Sequence, residues 1–292
     1  MALTKADKMV ISMLLCVTAC SPVSDIPVST SELTARMEGE KTDTLVTISF
    51  APPFDMAPMT RAAISEAASR LDVWVYDDDT EVAAVHQSSS SVDFGSVSLS
   101  LNKLKTYTLY AIAHKATDAC TLTDGIIAWP DDKPKESFFY STTFSPATTT
   151  SINAEMNRIC GKFTLLTTDA VPDEVDHFRF VIADTGIRYN AVTGEPDDLT
   201  DRVVDFASVS RKNDGTCSLA FQILSTSDDV TNFTITATAY NASNEVVEQK
   251  TFNDVPIRNN YRTTLTGCFF TTEGMTMTFT ASDWQDFDEI NF

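Results

Sequence analysis

Short segments that alternate apolar and polar residues recur along most of this chain of 292 residues. In residues 45–50, for example, Val46, Ile48 and Phe50 fall on one face of an extended strand. Comparable segments follow at residues 71–76, 81–86, 92–101, 106–114, 159–167, 175–183, 217–224, 233–240, 246–252, 261–270 and 275–280. Turn residues separate these segments and no long helical period intervenes. The sequence therefore predicts an all-β fold built of β-sandwiches.

The series of predicted strands is interrupted near residues 153–158. This break predicts two sandwiches in tandem, residues 45–157 and 158–292. Within the first sandwich, residues 62–70 can form one or two helical turns, and residues 120–149 are interpreted as loop-rich. The polar stretch at residues 194–198 is interpreted as a connection between strands.

The N-terminus has the composition of an export signal. Lys5 and Lys8 precede an apolar run over residues 9–17, which is too short to span a membrane. Cys20 directly follows Val-Thr-Ala, and this order resembles a bacterial lipobox, in which the cysteine receives lipid. Residues 1–19 are then a lipoprotein signal peptide and residues 20–44 a flexible tether. The alternative is an ordinary signal peptide with an incidental cysteine.

The net charge excludes several classes of partner. The chain carries a formal charge of −20 at pH 7 and has a sequence pI near 4.3. Binding to nucleic acid depends on basic residues that displace counterions from phosphates, and anionic lipid surfaces attract the same residues. The sequence shows no such basic patch, so nucleic acid is not expected as a partner.

Four cysteines remain beyond the proposed lipid site: Cys120, Cys160, Cys217 and Cys268. In an exported protein they could form disulfides in any of three connectivities, which the sequence does not rank. Free buried thiols are the alternative. None of the four has the C-x-x-C spacing of a metal or redox site.

No specific signal of catalysis or metal binding appears. His86, His114 and His177 each lie singly in a predicted strand, and a structural role is favoured for all three. The acidic runs at residues 77–79, 131–132, 197–198 and 228–229 could hold Ca²⁺, but none has EF-hand spacing, so solvated turns are favoured. We expect neither an enzyme nor a cofactor, and no metal site.

The three tryptophans are candidates for a sugar-stacking surface. Trp74 lies inside a predicted strand and is expected in the core, whereas Trp129 precedes Pro130 in a predicted loop and is the better exposed candidate. Trp284 is a second candidate platform.

Three stretches carry a resemblance to a known group of proteins: residues 60–63 with 71–77, residues 158–163 (Arg-Ile-Cys-Gly-Lys-Phe), and residues 255–267. With a lipobox in front, the chain resembles the fimbrillin superfamily of Bacteroidota, the lipoprotein subunits of type V fimbriae. Residues 135–140 and 169–172 are most similar to the anchor-subunit branch. The resemblance implies two tandem β-sandwiches of transthyretin-like, Greek-key type.

The resemblance also implies assembly by strand exchange. A trypsin-like protease cuts after an arginine and removes the N-terminal strand, and a strand of the next subunit fills the groove. Here the removable strand would be residues 45–50 and the cut would follow Arg61. Alternatively, Arg61 is an ordinary loop arginine, since anchor subunits keep their lipid. Residues 275–280 are either a donor strand or, as favoured, the edge strand of the second sandwich.

These observations predict a structural subunit of a cell-surface fimbria, or pilus, held in the outer membrane by lipid on Cys20. Its partners would be other fimbrial subunits, and adhesion to a host or bacterial surface ligand would follow from assembly. The alternative function is a surface lipoprotein that binds glycans through Trp129 or Trp284 for nutrient capture.

Overall fold

The computed structural model describes residues 42–52, 61–225, 229–272 and 274–281, all of which belong to one compact unit. Cys20 and most of the tether lie outside these residues, as does Trp284. Over the described ranges, no helix combines the length and the apolar character that crossing a membrane requires.

The chain is built almost entirely of strands, joined by one helix and one 3₁₀ turn. In chain order the elements are β1 (Asp43–Ala51), α1 (Arg61–Ala67), β2 (Arg70–Asp77), β3 (Thr80–Ser88), β4 (Ser96–Asn102), β5 (Tyr107–His114), β6 (Thr121–Thr123), β7 (Ile126–Ala128), a 3₁₀ turn (Pro130–Asp132), β8 (Ser137–Phe144), β9 (Ser151–Glu155), β10 (Asn157–Arg158), β11 (Cys160–Thr167), β12 (Val175–Asn190), β13 (Glu195–Phe206), β14 (Ser218–Leu224), β15 (Thr231–Asn241), β16 (Val246–Ile257), β17 (Tyr261–Gly267) and β18 (Met275–Ala281).

The first sandwich consists of a three-stranded sheet, β4-β1-β9, and a five-stranded sheet, β10-β8-β5-β2-β3. Alternate side chains of both sheets and of α1 meet in one buried cluster that includes Ile48, Leu71 and Leu109. The predicted helical turns at residues 62–70 are confirmed by α1, which supplies Ile64 to this cluster.

The second sandwich consists of β14-β11-β17-β18 and a larger sheet, β16-β15-β12-β7-β6, with β13 paired along β12. Its core is rich in phenylalanine: Phe163, Phe178, Phe180 and Phe269 are fully buried. The rings of Phe163 and Phe180 meet edge to face at 6.0 Å, the geometry that the aromatic quadrupole favours. The predicted all-β class with two sandwiches is confirmed.

Two segments that the sequence indicated as connections are strands. Residues 195–198 begin β13, the twelve-residue partner of β12. The predicted loop region 120–149 contains the β6–β7 hairpin and β8. Most side chains of β13 are exposed, and the hairpin strands have three residues each, so neither shows a clear apolar alternation. These two predictions were therefore wrong.

The β6–β7 hairpin joins the two halves of the chain. It precedes residue 157 in sequence but pairs with Arg188–Asn190 of β12, in the larger sheet of the second sandwich. Beneath it lies a third buried cluster, here called the junction core, which contains Trp74, Trp129, Phe139 and Tyr189. The boundary at residue 157 itself stays a prediction.

A buried ion pair lies beside the junction core. The Arg158 Nη2 atom is 2.9 Å from Glu136 Oε1, and their side chains are 1% and 5% exposed. Lys115 Nζ reaches the other carboxylate oxygen of Glu136 at 2.8 Å, and the guanidinium lies 4.9 Å from the centre of the Phe138 ring. The pair therefore connects the residue just before β8 with β10, the short strand that leads from one sandwich to the next.

We expect Glu136→Gln to lower the free energy of unfolding by about 3 kcal/mol, because Arg158 would stay buried without its counter-charge. Chemical denaturation measures the loss. Asp205→Asn is the matched control, since its pair with Arg179 is exposed on both sides (48% and 52%), and removing an exposed pair costs at most about 1 kcal/mol. Equal effects of the two substitutions would contradict a structural role for the buried pair.

Candidate functional site: the groove filled by strand β1

Strand β1 occupies the middle of the three-stranded sheet. It pairs antiparallel with β4 from Asp43 to Ser49 and parallel with β9 from Thr47 to Ala51. A central strand makes main-chain hydrogen bonds on both edges, so its removal would leave two unpaired strand edges facing each other. The space between β4 and β9 is a groove shaped for one extended strand.

The side chains with which β1 fills this groove are apolar. Val46 and Ile48 of β1 are fully buried and Phe50 is 4% exposed. Ile48 lies between its neighbours Val97 on β4 and Ile152 on β9, both of which are buried. Fully burying a side chain of this size stabilises a fold by about 1.5–3 kcal/mol, so the three contribute about 5–9 kcal/mol together. That sum is comparable with the whole net stability of a domain, about 5–15 kcal/mol.

Helix α1 lies next to the groove and begins at Arg61, the predicted processing site. The Arg61 side chain lies outside the described residues. Ile64 is 1% exposed and packs close to Gly95, where a Cβ atom would come within 2.7 Å of Ile64 Cγ2. Gly95 has φ +85° and its carbonyl accepts the Phe50 N–H at 2.9 Å, so a larger residue would displace α1 from β1.

The C-terminal strand β18 pairs antiparallel with β17, from Met275–Gly267 to Ala281–Tyr261, at the edge of its sheet. The predicted edge-strand role of residues 275–280 is thereby confirmed. Its alternate side chains are only partly covered: Met277 is 38% exposed, and Phe279 stacks on Tyr261 at 5.0 Å. This strand contributes far less to a core than β1 does.

All four cysteines of the described chain are free thiols in this structure. Cys120 and Cys160 lie in the junction core, Cys217 lies in the second core, and Cys268 is partly exposed. Burial raises the pKa of Cys160 to about 12, and the Glu136 carboxylate adds to the effect. Burial also raises the thiol pKa values of Cys120 and Cys217. These thiols are poor nucleophiles, and disulfide pairing stays a prediction.

The structure gathers two of the histidines around a buried carboxylate that the sequence analysis did not single out. Asp72 Oδ1 is 2.8 Å from His86 Nδ1, and Oδ2 is 2.7 Å from His114 Nε2. The Cys120 main-chain N–H donates to the same Oδ2 at 2.8 Å. Asp72 is a charged residue inside the otherwise apolar strand 71–76, and this was the available signal.

Asp72, His114 and Cys120 have the donor types of a metal centre, and one potential ligand atom of each lies within 4.8 Å of the others. The protonation pattern does not fit a metal, however. The Ala116 N–H donates to His114 Nδ1 at 3.2 Å, so Nδ1 carries the lone pair and Nε2 carries the proton that Asp72 accepts. Burial raises the pKa of the Cys120 thiol, so in the metal-free protein its sulfur is protonated as well. The cluster is a closed hydrogen-bond network.

The other candidate residues have structural environments. Trp74 is 3% exposed, as predicted for a core residue. Trp129 is also 3% exposed and donates from Nε1 to Ser137 Oγ at 3.0 Å, so its predicted role as an exposed sugar platform is wrong. The sequence shows that Trp129 precedes a proline, but it does not show that the β6–β7 hairpin covers the indole ring. Of the acidic runs, Asp132 and Asp198 both pair with Arg188, at 3.2 and 3.5 Å.

The chain belongs to a family of unknown function, DUF6562, which matches residues 38–289. Among curated proteins no match to the sequence is found.

The fold is similar to that of solved proteins from the Bacteroidales. A putative adhesin from Bacteroides ovatus has a TM-score of 0.55 at 12% identity, over 81% of this chain and 96% of that one. A putative adhesin from Bacteroides thetaiotaomicron has a TM-score of 0.52 at 11% identity, over 81% and 95%. The fimbrial anchor protein Mfa2 from Porphyromonas gingivalis has a TM-score of 0.48 at 12% identity, over 76% and 90%. The two Bacteroides structures confirm the fold that the fimbrillin resemblance predicted.

We expect Asp72→Ala to lower the free energy of unfolding by about 3 kcal/mol, because the buried His114 Nε2–H and Cys120 N–H would lose their acceptor. Thermal and chemical denaturation measure the change. His86→Ala is the control, since the His86 side chain is 42% exposed. Added Zn²⁺ should leave the wild-type Tm unchanged. A Zn²⁺-dependent rise in Tm that Cys120→Ser abolishes would contradict the closed network.

Proposed function

We propose that this protein is a structural subunit of a cell-surface fimbria, without enzymatic activity, that joins its neighbours by strand exchange at the β1 groove. The observation that carries the proposal is the central position of β1, whose three buried apolar side chains line up with two potential strand partners. The similarity in fold to Bacteroides proteins described as putative adhesins supports a role at the cell surface.

The groove determines what can replace β1. An incoming strand must bond antiparallel to β4 and parallel to β9, and must present apolar side chains at alternate positions. Strand β18 has that pattern in Met275, Met277 and Phe279, and it is held by one neighbour at a sheet edge. A second copy of the chain could therefore supply the replacement from its C-terminal strand.

The protein has two possible modes of action, according to whether the link between β1 and the rest of the chain is cut. If a protease cuts after Arg61, the lipid-bearing segment leaves with β1 and an empty groove accepts the next subunit. If Arg61 is not cut, the lipid on Cys20 holds the protein in the outer membrane and the protein acts as an anchor. In both modes its partners are other fimbrial subunits, and adhesion follows from assembly.

The N-terminus and the lipid state of protein purified with fimbriae distinguish the two modes. A polymer-borne chain that starts at Ala62, and that is missing from an Arg61→Ala strain, identifies a subunit activated by proteolysis. A chain acylated at Cys20 that co-purifies with fimbriae identifies an anchor. Intact mass and N-terminal sequencing report both features. Failure of the protein to co-purify with any fimbrial polymer would contradict the proposal.

Strand exchange can be tested directly on the folded protein. A cleavage site for a specific protease is placed between residues 53 and 60, and the cut protein is offered a labelled peptide of residues 43–51 or of residues 274–281. We expect capture of both peptides, because each presents apolar side chains at alternate positions.

Matched peptides with Ile48→Asp or Met277→Asp serve as controls for these measurements. They should bind at least about tenfold more weakly, because a carboxylate would be buried in the apolar groove. Native gels and fluorescence anisotropy measure the capture. Capture of the residue 43–51 peptide alone would contradict β18 as the donor, and capture of neither would contradict exchange at this groove.

A further inference from the structure

A cleft of about 670 Å³ opens where the two sandwiches meet, a size within the usual range of small-molecule sites. Phe139, Tyr140 and Glu155 line it from the first sandwich, and Tyr189 with the turn Arg258–Tyr261 lines it from the second. Glu155, the last residue of β9, lies at the end of the β1 groove, but the other lining residues belong neither to that groove nor to the network around Asp72. Neither of those roles therefore accounts for the cleft.

The two sequence stretches that carried the resemblance, residues 158–163 and 255–267, build the wall of this cleft. The Asn260 N–H donates to the Cys160 carbonyl at 3.1 Å, and Asn260 Oδ1 accepts a hydrogen bond from Arg158. Gly161 lies so close to the turn that a Cβ atom there would be 2.6 Å from the Arg258 carbonyl oxygen. The turn is thus held in place before any ligand arrives, which lowers the entropic cost of binding.

The wall includes a buried side-chain amide, that of Asn259. Asn259 is 8% exposed, and its Oδ1 makes no hydrogen bond with any residue that the structure describes. At least about nine in ten buried polar groups in proteins are hydrogen-bonded, so an exception in a cleft indicates a place for a donor. The oxygen is covered in this structure, so a hydroxyl or an N–H group of a ligand would reach it by turning the Asn259 side chain toward the cleft.

The cleft also holds the guanidinium of Arg258. The Arg258 guanidinium lies 4.7 Å from the centre of the Tyr261 ring and donates to the Tyr261 hydroxyl at 3.3 Å. Within the described ranges no carboxylate pairs with it, although the chain carries a net charge of −20. A guanidinium in this position can still bind an anionic oxygen of a ligand, most effectively a carboxylate.

We propose that this cleft binds an acidic saccharide. A hydroxyl of the sugar donates to Asn259 Oδ1, a carboxylate accepts from Arg258, and the half-buried ring of Tyr140 packs against the sugar. A saccharide offers many hydroxyl donors, which matches a cleft lined by amides, tyrosines and the Glu155 carboxylate, all of which can accept a hydrogen bond. This binding function does not depend on strand exchange, because the three residues that would contact the sugar, Tyr140, Arg258 and Asn259, lie outside the β1 groove.

The test is calorimetric titration of the full chain with trigalacturonate and, in parallel, with neutral maltotriose. We expect trigalacturonate to bind and maltotriose to bind at least about tenfold more weakly, because the charge-assisted hydrogen bond is missing. Arg258→Gln should remove this preference, and Asn259→Ala should weaken binding of trigalacturonate by about tenfold. Arg179→Gln, an exposed arginine paired with Asp205, is the matched control and should leave binding unchanged.

Three results would overturn the proposal. The first is no binding of either saccharide, the second is binding that neither Arg258→Gln nor Asn259→Ala alters, and the third is capture of a peptide with a free C-terminal carboxylate in place of the sugar. An unchanged Tm in both variants shows that they are folded, whether or not the β1 groove exchanges peptides. It also separates a failure of this inference from a failure of the fimbrial proposal.

Discussion

The first sandwich depends on covering one strip of apolar side chains. Val46, Ile48 and Phe50 lie on one face of β1 and need a core beneath them, while the main chain of β1 needs hydrogen-bonding partners on both edges. Both requirements are met only because β1 lies between β4 and β9. The proposed strand exchange rests on the same geometry, since an incoming strand with that alternation would satisfy the same two requirements.

The second constraint is at the junction between the sandwiches. The chain passes from β9 through the two residues of β10 into β11, and there Arg158 bonds to Glu136 on one side and to Asn260 on the other. The missing side chain of Gly161 allows the turn at Arg258 to approach β11. Residues 158–163 and 255–267 both carry the resemblance to the fimbrillin superfamily, and about a hundred residues separate them in sequence. These contacts bring the two stretches together in the folded chain.

A carboxylate that accepts three main-chain hydrogen bonds holds the loop before β18. The Asp169 carboxylate accepts the N–H groups of Phe269 and Phe270 at 2.8 and 2.7 Å, and that of Thr271 at 3.1 Å. It thereby holds the loop that leads into the C-terminal strand, while the strand itself keeps a weakly covered edge position.

Local pattern was enough to predict the all-β class, most of the strands and the edge position of residues 275–280. Period-two alternation is a property of neighbouring residues, and burial on one face imposes it. Only the tertiary structure decided the rest, because it depends on which distant strands meet. Three features depend on residues far apart in sequence: the pairing of β1 between β4 and β9, the gathering of His86 and His114 on Asp72, and the burial of Trp129 beneath the β6–β7 hairpin. Periodicity records whether a side chain is covered, but it does not record which residues cover it.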